Sequence, residues 1–224
     1  LMAKDKDAEC RKLYSTIQRN AERILQLVNQ LMDIRKIDKG QMSLMFKKAE
    51  IVSFTRDLLE TFEQQTRVKK LDLKFHTSAP EIEMWIDPKN FDKIILNLLS
   101  NACKFTPENG QVEISLSTGE DTHLPQNAPL RRYVELTVAD SGIGIASTER
   151  EHIFERFYQI RNSQNNSNIG TGIGLHLTRS LVELHYGNIH VEDNGEGRPG
   201  SRFIIRLPLG NGHLKKEEIE EATT

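Results

Sequence analysis

Cysteine is scarce in this chain. Cys10 and Cys103 stand far apart and form no metal-ligand spacing. That excludes a small disulfide-built framework, and a reducing compartment is the simplest expectation. A surplus of one charge is also missing: 30 Lys and Arg face 32 Asp and Glu, for a net charge of −2. A nucleic-acid surface spread over the whole protein does not fit that balance. No apolar run approaches the roughly 18 residues of a membrane span, and no signal peptide opens the chain. What is there is an ordinary balance for a folded domain, with 37% hydrophobic and 28% charged residues in 224. Such a length holds one good-sized domain, or one domain plus a helical appendage.

The appendage comes first. Residues 8–38 read as one long helix, with Ile17, Ile24 and Leu31 seven apart and Asn20, Leu27 and Ile34 likewise. Together they form an a/d seam. A helix packed on its own domain also shows an apolar stripe. No second long helix of this kind follows, however, so the seam favours a two-fold or multi-helix assembly. Asp38-Lys39-Gly40 supplies the stop. Leu1 already lies within the helical pattern, so the chain reads as a piece of something longer.

From residue 50 the texture changes. Ile51, Phe54, Leu58, Leu59 and Phe62 predict an amphipathic helix. Residues 71–76 and 83–86 predict strands, the second stopped by Asp87-Pro88, which also opens a helix with Asp87 as cap and Pro88 at the first position. That helix runs to about Phe105. Residues 112–116 and 133–138 alternate as strands around a polar loop at 119–131. Thr148-Glu149-Arg150-Glu151 predicts a capping box and a short helix. Residues 161–170 are polar and of low complexity, a helix follows over 173–185, and strands over 189–192 and 202–207 close the domain. From Gly210 the chain is charged and expected to fray. The sum is an α+β domain, a mixed sheet with helices on one face.

Three features carry chemistry. In the helix from Pro88, Phe91, Ile94, Ile95, Leu98, Leu99 and Ala102 make the apolar face, while Asn97, Asn101 and Lys104 share a separate stripe. Carboxamide oxygens suit Mg²⁺ and an ammonium suits phosphate; a merely solvated face would show the same stripe. Asp140-Ser141-Gly142-Ile143-Gly144-Ile145 follows a strand, where glycines admit a close ligand and a buried Asp can accept from an amine. A tight turn before a helix is the plainer account of it. Gly170-Thr171-Gly172-Ile173-Gly174-Leu175 opens a helix whose first N–H groups and dipole suit an anion. Neither box is the dinucleotide fingerprint, since Ser147 and Leu175 stand where a third glycine belongs. No Walker lysine loop exists either, because Gly195 and Gly200 are followed by Ser201-Arg202.

Four motifs in order nevertheless resemble one family. Asn97 to Thr106 resembles the N box of sensor histidine kinases, Asp140 to Gly144 their first glycine box, Phe154-Glu155-Arg156-Phe157-Tyr158 the F box, and Gly170 to Leu175 the second glycine box. The resemblance runs from the first helix to about Leu209. It implies a Bergerat-type α/β sandwich binding ATP and Mg²⁺. Asn101 would be the metal ligand with Asn97 beside it, Lys104 would meet phosphate, Phe105 would lie against adenine, and Asp140 would accept from the adenine amine. Gly170 to Gly174 would present N–H groups to phosphate. Residues 158–170 would form an ATP lid, with Tyr158 at its start and Arg161 reaching the γ-phosphate. Gly142, Gly144, Ile145, Thr171, Gly172, Ile173, Leu175 and Ser201 complete the expected nucleotide-binding set; Asn97, Lys104 and Arg161 are the expected catalytic residues.

On this resemblance residues 1–39 are the second helix of a dimerisation domain, 40–49 a linker, 50–210 the ATP-binding domain and 211–224 a charged tail. The intact protein would be a homodimer through helix 8–38, the cytoplasmic portion of an inner-membrane sensor. It would pass phosphate from a histidine to a response-regulator receiver, without touching nucleic acid. Residues 209–219 look similar to the exit segment of hybrid sensors with a receiver further along. Two departures stand out. His185-Tyr186-Gly187-Asn188 has one glycine where family members often have two. None of His76, His123, His152, His176, His185, His190 and His213 has the acidic and Thr-Pro context of the phosphoacceptor, which the family carries on the preceding helix. Two other readings compete. One is an ATP hydrolase like the type II topoisomerase, mismatch-repair and heat-shock chaperone ATPases, which carry a water-activating Glu where Asn97 stands; an amide cannot take that proton. The other is a degenerate nucleotide-binding scaffold.

Overall fold

The computed structural model describes residues 2–160, 171–195 and 197–220, with the backbone alone for 2–9, 12 and 19. The chain divides into two compact units, Leu1–Met42 and Ser43–Thr224.

The first unit is a single helix, α1, Met2–Asp38, 37 residues long. It starts six residues before the periodicity suggested. Gly40, at φ +62°, ends it in a Schellman motif: Gly40 N donates to Ile37 O at 2.9 Å and Gln41 N to Lys36 O at 2.8 Å. Ile17, Ile24 and Leu31 of the seam are exposed by 56%, 61% and 43%. Leu27 is half-buried and Ile34 is buried, so the exposed part of the seam is formed by Ile17, Ile24 and Leu31.

In the second unit a five-stranded sheet runs in the order β2-β4-β5-β7-β6. Its strands are β2 (Asp72–Thr77), β4 (Gln111–Glu120), β5 (Arg132–Asp140), β6 (Asn188–Asp193) and β7 (Ser201–Pro208). β2 and β4 are parallel and the other pairs antiparallel, so the sheet is mixed. One row crosses it through Phe75, Ile114, Val138, Phe203 and Val191. Alternation puts such apolar rows on one face, under the helices α4 (Pro88–Phe105) and α5 (Gly174–Leu184). The other face carries polar pairs such as Arg206 Nε to Glu135 at 2.8 Å. The expected mixed sheet with helices on one face is therefore present.

A smaller ribbon pairs β1 (Lys47–Glu50) antiparallel with β3 (Glu83–Ile86). β1 falls where a linker was expected. Lys47-Lys48-Ala49-Glu50 has no apolar alternation; what holds it is pairing, including Lys48 to Glu83 at 2.7 Å. Glu50 then caps α2 (Ile51–Glu60), accepting from Val52 N at 2.8 Å and Ser53 N at 2.7 Å, and from Ile82 N at 3.0 Å. A short helix, α3 (Glu63–Lys69), follows.

Two further expectations fail. Residues 148–151 form turns leading to a 3-10 turn at His152–Phe154, with no side-chain cap. Glu151, which would close the box, faces Arg179 at 3.8 Å, while Glu149 accepts from the Tyr158 phenol. The tail, in turn, does not fray up to residue 220. Phe46 N donates to Glu218 O at 2.6 Å and Glu220 N to Phe46 O at 2.8 Å, a parallel bridge between Phe46 and Ile219. The Tyr186 phenol adds a hydrogen bond to the Glu218 carboxylate at 2.8 Å, and Lys47 pairs with Glu220 at 3.3 Å.

Candidate nucleotide-binding site

The site grows from α4, and α4 is anchored at both ends. At its start the buried Asp87 accepts from Asn90 N through Oδ1 and from Met45 N through Oδ2, each at 3.0 Å. Its own N–H donates to His185 Nε2 at 3.3 Å, and His185 Nδ1 donates to Leu181 O at 2.7 Å. Burial pushes the His185 imidazole below its usual range, against the opposing pull of these contacts. It therefore serves as a neutral, doubly bonded link between α4 and α5. At the other end Lys69 Nζ donates to the carbonyls of Cys103 at 2.8 Å and of Lys104 and Thr106 at 3.0 Å. A cation on terminal carbonyls is favoured by the helix dipole.

Between these anchors Ile94, Ile95, Leu98 and Leu99 are buried in the core, and Asn97, Asn101 and Lys104 lie on the half-buried stripe. Asn97 reaches α5: its Nδ2 donates to the Thr178 hydroxyl at 2.7 Å, and its Oδ1 lies so close to Gly174 that a Cβ there would collide with it. Lys104 Nζ sits 4.6 Å from the centroid of the Phe105 ring, which is 41% exposed. The second glycine box is thus brought against the N box.

Asp140 ends β5, buried to 5% exposure. Ser201 Oγ donates to its Oδ2 at 2.6 Å and Gly142 N to its Oδ1 at 2.8 Å. Burial raises its pKa, partly offset by these donors. Gly142 is required here: a Cβ would stand 2.6 Å from both Asp140 Oδ1 and the Phe105 carbonyl. So the first glycine box touches the end of α4. Gly144, at φ +73°, packs on Gly200, and Ile145 O accepts from Arg150 Nε at 3.3 Å.

The F box joins through backbone. Phe157 N donates to Gly172 O at 2.9 Å, with Phe157 itself in the left-handed region at φ 62°. The Tyr158 phenol donates to Glu149, and its ring lies 5.6 Å from that of His152 in a tilted pair. Thr171 Oγ1 accepts from Ile173 N at 3.3 Å; Ile173 is buried in the core, and Leu175 is half-buried one position into α5. Among the described residues no side chain caps the first N–H groups of α5, which leaves them available to an anion. Arg161 and Gly170 lie outside the described residues.

Residues 86–211, from the end of β3 to just past β7, match the family described as histidine kinase-, DNA gyrase B-, and HSP90-like ATPase. The chain belongs to this family. Within it, sensor histidine kinase TmoS of Ectopseudomonas mendocina is 38% identical over 198 residues, covering 88% of this chain and 19% of TmoS. Hybrid signal transduction histidine kinase D of Dictyostelium discoideum is 34% identical over 218 residues, covering 96% of this chain and 14% of that one. The chain thus spans less than a fifth of either curated relative. The structure of histidine kinase ThkA in complex with response regulator protein TrrA shares the fold, with a TM-score of 0.62 over 86% of this chain and 50% of that one, at 22% identity. The second unit is the ATP-binding catalytic domain of the sensor histidine kinases, on the Bergerat-type fold.

Within this ATPase-family site several side chains were not foreseen. Asn194 Nδ2 donates to the carbonyls of Asp140 and Pro199, each at 2.7 Å, and Gly200, at φ +105°, lies against the Asp140 backbone where any Cβ would collide. The glycine-rich run before β7 was the available signal. Thr178 and Lys69 had none, because their partners are distant in the chain.

Proposed function

We propose that this chain binds Mg²⁺-ATP between α4, the Asp140 loop and the start of α5, and that the intact protein transfers the γ-phosphoryl group to a histidine. The observation that carries the reading is the convergence of Asp140, Asn97 and Gly174. One buried carboxylate accepts only, one carboxamide stripe faces an uncapped helix start, and glycines stand where a Cβ would close the space. Asp140, held by Ser201 and Gly142, accepts from the adenine amine. Asn101 is the metal ligand, Asn97 stands beside it, and Lys104 meets phosphate. Carboxamide oxygens are hard donors that fit Mg²⁺, which retains waters and bridges phosphates. When bound, the ion neutralises charge developing on the phosphate oxygens. The chain itself contributes position and fixed dipoles: α5 offers N–H groups, and Phe105 and Ile145 bound the base.

The acceptor is a histidine with the family's acidic context, which none of the seven here has. His185, both of whose ring nitrogens are engaged, is structural. The exposed Ile17, Ile24 and Leu31 of α1 support a homodimer, and the response regulator bound by ThkA supports a receiver domain as the next acceptor. The reading extends to a cytoplasmic unit of an inner-membrane sensor; among the described residues no helix is long and apolar enough to cross a membrane.

The test is calorimetric titration with a non-hydrolysable ATP analogue and Mg²⁺, beside Asp140→Asn. An amide in place of the carboxylate would turn a donor toward the adenine amine. Binding by the native chain and its loss in the variant is expected. Equal affinities would remove Asp140 from the site.

A further inference from the structure

The Asn97 carboxamide spans one turn of α5. Its nitrogen lies on Thr178 Oγ1 at 2.7 Å, and its oxygen lies nearest Gly174, four residues earlier on the same helix. Thr178 is 1% exposed, so its hydroxyl is shielded from water, and in the observed arrangement it accepts from the amide. The observed orientation puts the donor end of the amide on Thr178 and the acceptor end at the start of α5. Flipping it would put oxygen against a hydroxyl that must then re-aim its proton, and would put the NH₂ against Gly174.

We propose that Thr178 is a positioning residue that sets which end of the Asn97 amide faces the phosphates: the oxygen, an acceptor, and not the nitrogen, a donor. This rests on the reading of Asn97 as part of the Mg²⁺-ATP site. The two faces have opposite consequences. An oxygen accepts from metal-bound water and favours nucleotide only when the metal is there. An NH₂ donates to phosphate and favours nucleotide with or without it. Thr178 therefore makes nucleotide binding dependent on Mg²⁺, although it touches neither ligand. Gly174 contributes by omission, because a Cβ there would occupy the position the amide oxygen takes.

The experiment measures affinity for the ATP analogue with Mg²⁺ and with a chelator, in the native chain, Thr178→Val, Thr178→Ser, Thr178→Ala and Asn97→Ala. Valine keeps the shape of threonine and removes the acceptor; alanine covers the case in which valine does not fold. The expected result is a fall of about 10-fold in the affinity gained from Mg²⁺ in Thr178→Val, the usual scale for a group behind a metal ligand. Chelator-side affinity should be retained, and Thr178→Ser should behave like the native chain. An independent readout needs no ligand: the Asn97 side-chain amide protons should exchange faster with water in Thr178→Val, as measured by NMR. A Mg²⁺ gain unchanged in Thr178→Val but lost in Asn97→Ala overturns the positioning role alone. A gain unchanged in both overturns the reading of Asn97 with it.

Discussion

The two helices that build the site begin in opposite ways. α4 starts on Asp87, whose carboxylate takes up Asn90 N and Met45 N while its own N–H goes to His185. α5 starts on Ile173, in the right-handed helical region, with no side-chain cap among the described residues. A helix start leaves its first N–H groups without intrahelical partners, and Pro88 removes one of them from α4. In α4 the cap is spent on structure: Asp87 takes Asn90 N of the helix and Met45 N of the preceding segment, and its own N–H ties them to His185. In α5 the first N–H groups remain for whatever approaches Gly174. An uncapped helix start in a well-packed domain is a cost to stability, and in the proposed function a phosphate offsets it.

The largest expected effect falls on the open end. Gly174→Ala puts a methyl group into Asn97 Oδ1; displacement of that side chain, at about 1–3 kcal/mol for overpacking, corresponds to about 5- to 150-fold in analogue affinity by calorimetry. Unchanged affinity would place the phosphates away from α5. Next comes the closed end. Asp87→Ala should cost about 2 kcal/mol in urea unfolding, since two backbone donors lose their partner. The folded protein should still bind the analogue with native affinity, and weaker binding would mean that the cap shapes the site as well. Smaller again, Lys69→Met should cost about 1–2 kcal/mol by the same assay, because three carbonyls at the far end of α4 lose a charged donor.

The smallest effect is a pH dependence. His185 is pushed down by burial, so its contribution is complete above the ordinary imidazole value of 6.5 and is lost as pH falls below it. Urea midpoints should decline from there, and His185→Gln, which keeps an acceptor and a donor, should flatten that slope. Glu50 acts lower. Burial raises its carboxyl, but the N–H groups of Ile82, Ser53 and Val52 with the Ser53 hydroxyl bring it down to about 2. Its share is present above 4.5 and is lost between there and about 2.

What was legible in the sequence followed the range of the forces. α4 was read with its boundaries, since Asp87-Pro88 is a local start signal and the apolar face has a clear 3.6-residue period. The two glycine boxes follow from close contacts that leave no room for a Cβ, with Asp140 Oδ1 and the Phe105 carbonyl at Gly142 and the Asn97 side chain at Gly174. β1 was missed because Lys47 and Lys48 give no alternation and the strand exists only through β3. The box at Thr148 was a sound local signal overridden by tertiary partners, with Glu149 drawn to Tyr158 and Glu151 to Arg179. Thr178 could not have been found, since nothing near it in the chain points to a residue 81 positions away.

The bridge between Phe46 and Ile219 has a mechanical consequence. The two segments run parallel, so the chain entering the second unit and the chain leaving it depart from opposite ends of the same contact. A pull between them loads the two backbone hydrogen bonds and the Lys47–Glu220 pair in shear, all at once, instead of peeling them one by one. Tension between whatever lies upstream and downstream is then carried by this clip, and the sheet and the helices that hold the nucleotide are bypassed.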